Sequence, residues 1–71
     1  MEPRAKADAI LKGLRRQIAD DMADVKPTTT EMEKIATKQL AITAAYLTHP
    51  QKDYREHAKA SIREWVKLGS E

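Results

Sequence analysis

Two histidines and an aspartate open the list of residues able to do chemistry. His49, Asp53 and His57 recur every four residues, a spacing that lines one helix face with groups able to hold zinc. Pro50 interrupts the series, and a residue before proline is pushed out of helical conformation. His49 is therefore expected outside the helix that carries the other two. Four good ligands are not in view, so no metal site and no cofactor is expected. Nucleophilic chemistry has little to draw on. There is no cysteine, and Ser61 and Ser70, the only serines, have no local His–acid arrangement. Gly13 and Gly69 stand alone, so no glycine-rich loop cradles a phosphate. A bundle of this size is expected to leave little room for a substrate pocket of several hundred Å³, and neither catalysis nor a small-molecule substrate is expected.

Charge is the richer signal. Arg55, Lys59, Arg63 and Lys67 form a ladder at four-residue spacing, a ridge able to track a phosphate backbone. Glu56 and Glu64 interleave it, and no helix-turn-helix signature precedes it. Nucleic-acid binding is thus the second reading. The first concerns the opening helix, whose charges run backwards. Arg4, Lys6, Lys12, Arg15 and Arg16 crowd its start, and Asp20, Asp21 and Asp24 its end. A helix dipole favours acids first and bases last, by about 0.3–1 kcal/mol per charge. Something outside the helix must offset this, either another helix or another molecule. Arg15, Arg16, Asp20, Asp21 and Asp24 are therefore the expected protein-binding residues. The apolar stripe Leu11, Leu14, Ile18, Met22 and Val25 maps onto itself when the helix is inverted about Ile18, which makes it the candidate homodimer seam.

Punctuation defines the elements that hold these residues. An apolar stripe at three-and-four spacing predicts a first helix over about 4–25, closed by Lys26-Pro27. Thr28-Thr29-Thr30-Glu31 reads as a capping box, with Pro27 and Met32 as its hydrophobic staple, opening a second helix over about 29–47. Its apolar arc is wide, so this helix is expected at the centre of the fold. Thr48-His49-Pro50 breaks the chain again. A third helix follows over about 51–68, with Tyr54, Ala58, Ile62 and Trp65 on one face and Gly69 just past its end. Short connections imply antiparallel neighbours, and the expected architecture is an all-α three-helix bundle running up, down and up. In that course the end of the third helix brings Arg63 and Lys67 to the acidic pole.

The bulk numbers fit such a domain. Seventy-one residues carry a net charge of +2, too small to announce a nucleic-acid partner. The charge is unevenly spread: residues 1–16 sum to +3, 17–33 to −4 and 34–71 to +3. No apolar run approaches the about 20 residues needed to cross a membrane, and no signal-peptide pattern follows Met1. With no cysteine to suggest an oxidising compartment, a cytoplasmic location is expected. A core this small is marginal and gains from association. These features predict a non-enzymatic interaction module (a regulator, adaptor or inhibitor) working as a homodimer.

Overall fold

The computed structural model describes residues 2–71, and they form three helices without strands: α1 (Pro3–Asp21), α2 (Thr29–Leu47) and α3 (Lys52–Gly69). The all-α three-helix bundle is thus the fold. Pro3 opens α1 at a position where its missing N–H costs nothing. The helix ends earlier than the hydrophobic stripe suggests. Met22 caps it through a bond to the Ile18 carbonyl, and the N–H groups of Val25 and Lys26 fold back on the Met22 carbonyl. Lys26 takes φ 51, a left-handed conformation, because the following Pro27 excludes it from the helical region. This turn removes Val25 from the stripe and leaves it 66% exposed.

The capping box of α2 is complete. The Thr28 N–H donates to Glu31 Oε1 at 3.0 Å, and the Glu31 N–H donates to Thr28 Oγ1 at 3.2 Å. The α2–α3 corner is fastened by Arg55, whose Nη1 donates to the carbonyls of His49 and Pro50, both at 2.8 Å. His49 lies outside α3, and its Nδ1 accepts the N–H of Gln51, the residue before that helix. The His49 ring packs on Tyr54 with centroids 4.3 Å apart, and Tyr54 in turn on Tyr46 at 5.1 Å.

Two glycines decide how the helices assemble. Gly13 on α1 lies directly against the backbone of Trp65, and Gly69 on α3 directly against the backbone of Ala9. Position 9 thus faces 69 while position 13 faces 65, so α1 and α3 run antiparallel, with no side chain between them at two successive turns. An up-down-up course would make these two helices parallel; the expectation is corrected by this seam. Gly69 also differs from its expected part. It closes α3 with an ordinary negative φ and serves close packing, not a left-handed cap.

On one side of this pair lies α2. It contributes Ala36 to a core with Leu14, Ile18 and Trp65, and Met32, Ile35 and Leu40 pack around it. The remainder of its wide apolar arc is less covered: Ile42 is 37% and Leu47 36% exposed. The most intimate pair is therefore α1 with α3, and α2 leans on them. Alanine at so many arc positions supplies apolar character without the bulk to fill a second interface.

Candidate functional site

The antiparallel seam answers the reversed charges of α1. Continuing its register levels residue 17 with 61 and residue 21 with 57, so the acidic end of α1 lies alongside the opening turns of α3. The basic half lies alongside the end of α3. Each charged segment is placed where the neighbouring helix has the complementary dipole end. One contact is direct, since Arg16 Nη1 donates to the carbonyls of Leu68 and Glu71 at the terminus of α3. Arg63 and Lys67 ride on that same distal part of α3, so they do not reach the acidic pole as expected.

Of the expected partner-binding residues, Arg15 pairs with Glu33 at 2.7 Å, and both side chains are nearly half exposed. That pair contributes well under ~1 kcal/mol. Arg15 and Arg16 are thus engaged within the chain. Asp20, Asp21 and Asp24 are exposed and make no ion pair among the described residues. The dimer stripe is divided: Leu14 and Ile18 lie in the chain's own core, Leu11 and Met22 are half-buried, and Val25 stands exposed. As a continuous seam between two copies it is not free. The basic ladder is also divided. Arg55 is spent on the α2–α3 corner and Lys59 lies 3.8 Å from Glu56, while Arg63 and Lys67 project from α3 exposed.

Between α2 and the α1–α3 pair opens a cleft of about 580 Å³. The expectation that so small a bundle leaves little room for a pocket of several hundred Å³ is corrected here, because α2 leans on the pair without filling the angle. Its apolar floor is built from Leu14, Ile18, Ile35 and Trp65. Polar groups ring it: Gln17 and Asp21 from α1, Gln39, Thr43 and Tyr46 from α2, His57 and Ser61 from α3. Trp65 Nε1 donates to Gln17 Oε1 at 2.6 Å, which satisfies the indole and turns the remaining Gln17 amide donors toward other partners.

The cleft brings together a serine, an imidazole and a carboxylate that sequence reasoning kept apart. Ser61 and His57 are one turn apart on α3, and Asp21 joins them across the seam. The signal that could have found Asp21 was the pair of glycines, whose spacing sets the register. No hydrogen bond links the three among the described residues, and Ser61 sits mid-helix, where backbone N–H groups are already committed to helical bonds. That arrangement supplies neither an activated hydroxyl nor an oxyanion hole. His49, Asp53 and His57 do not converge, and no group of three potential ligands lies together among the described residues.

No family model matches the sequence, and neither a curated protein nor a solved structure matches the chain. Its function must be read from its own surfaces. No helix among the described residues is long and apolar enough to cross a membrane.

Proposed function

We propose that this chain is a non-enzymatic protein-interaction module, of the regulator, adaptor or inhibitor kind, that pairs with a second copy of itself. The observation that carries the reading is its exposed area. A compact chain of 8.0 kDa exposes about 4,450 Å² by the usual scaling, whereas this one exposes 5297 Å². The surplus of about 850 Å² compares with the about 800 Å² that each partner buries in a standard interface. Among the described residues six hydrophobic side chains are buried, Ala9, Leu14, Ile18, Ala36, Ala58 and Trp65, and three of these are alanines. A core of that size gains stability when mass action adds a partner.

Charge supports the choice of partner. The exposed acids Asp20, Asp21 and Asp24, with Val25 beside them, complement the exposed bases Arg4, Lys6 and Lys12 of another copy. Sedimentation equilibrium at micromolar concentration should give a mass near two chains, and the melting temperature should rise with concentration. Asp20→Lys with Asp24→Lys should dissociate the pair, and adding Arg4→Glu with Lys6→Glu should restore it. A single-chain mass at every concentration removes the self-association.

A further inference from the structure

The cleft between α2 and the α1–α3 pair has the size of a ligand site and a lining that selects a particular charge. Its about 580 Å³ falls within the range of small-molecule pockets, and the angle between bundle helices is a common place for them. Seven of its thirteen lining residues are polar; Asp21 is the one carboxylate among them, and no lysine or arginine lines it. A second observation marks it as more than a packing gap. Thr43 is 8% exposed, yet its hydroxyl returns to no carbonyl of its own helix, unlike those of Thr37 and Thr48, which bond Glu33 and Ala45. No buried polar side-chain atom among the described residues lacks a partner, so this hydroxyl reaches the open space of the cleft. On the α2 wall, beside Ile35, Gln39, Ile42 and Tyr46, this hydroxyl is free to hydrogen-bond an occupant of the cleft.

We infer that the cleft binds a small organic monocation, an ammonium on an apolar body. The ammonium lies at Asp21, the body lies against Trp65, Ile18 and Ile35, and Thr43 with the Gln17 amide orients it. An anion meets the Asp21 carboxylate and finds no lysine or arginine in the lining. Asp21 also belongs to the acidic group proposed to face another copy, so the titrations are made at a dilution where sedimentation gives a single chain, and there the failure of one reading is distinguishable from the failure of the other.

Trp65 is the sole tryptophan and forms part of the floor, so its fluorescence reports occupancy directly. Phenethylamine, 2-phenylethanol and 3-phenylpropionate share one ring and differ in charge. Titrated against the full chain, phenethylamine should change Trp65 emission saturably and bind about five- to tenfold more tightly than the neutral alcohol, as expected for one charge contact near water. The carboxylate should bind more weakly still. Asp21→Asn, at an exposed position that leaves the fold intact, should erase the difference between amine and alcohol while the alcohol still binds. Thr43→Val should weaken all three. Equal affinities for amine and carboxylate in the native chain, or no saturable change with any of them, would overturn the inference. So would an Asp21→Asn chain that still prefers the amine.

Discussion

A glycine inside a helix ordinarily weakens it, and replacing one by alanine ordinarily gains about 1 kcal/mol. At Gly13 the sign should reverse. The added methyl would overlap the Trp65 backbone, which cannot turn aside as a flexible side chain would. The helices must separate, and overpacking of this kind costs about 1–3 kcal/mol or more. Gly13→Ala should therefore lower the melting temperature by roughly 10 °C in a chain of this length. Ala19→Gly, at an exposed position of the same helix, should cost about 1 kcal/mol as propensity alone dictates. A Gly13→Ala chain as stable as the parent would mean that α1 and α3 do not touch there.

Among the elements, the opening of α2 was the most legible from sequence, because a capping box is a local device whose partners are three residues apart. Thr28→Ala should cost about 0.5–2 kcal/mol in urea unfolding. The bond from the Thr28 backbone, then that from its side chain, holds the Glu31 carboxyl below its ordinary 4.5. A carboxylate with a lowered folded value contributes stability that is complete above the unfolded value and lost as pH falls through the folded one. Stability should thus be level from neutrality down to about pH 4.5 as far as Glu31 is concerned, then decline. Glu31→Gln should flatten that part of the acid limb, and an unchanged limb would deny Glu31 the role. Helix limits were legible to within a few residues for the same local reason, apart from the turn at 22–26. The direction of α3 relative to α1 was not. It depends on glycines 56 positions apart in the chain, whose signature is an absence of side chain and leaves no mark in hydrophobic periodicity. The cleft was hidden with it, since Asp21 meets His57 and Ser61 only through that register.

At the scale of the whole molecule, the reversed charges of α1 are a statement about topology. Bases first and acids last is unfavourable for the helix alone and favourable beside an antiparallel neighbour, so the pattern selects against the parallel arrangement of an up-down-up bundle. Swapping Lys12 and Arg16 for glutamates should destabilise the fold most at low salt, with the loss shrinking as ionic strength rises. A salt-independent loss would place the effect in packing. The same seam also dictates how the protein answers to force. Because Ala9 meets Gly69 and Arg16 holds the carbonyls of Leu68 and Glu71, the start of α1 and the end of α3 lie at one end of one antiparallel pair. Pulling them apart loads the glycine contacts one turn at a time, like opening a zipper from its tab, and never in parallel. A handle at each terminus in an optical trap should open the domain at low force. Moving one handle to the α2–α3 corner, near Pro50, should set the seam in shear and raise the force required.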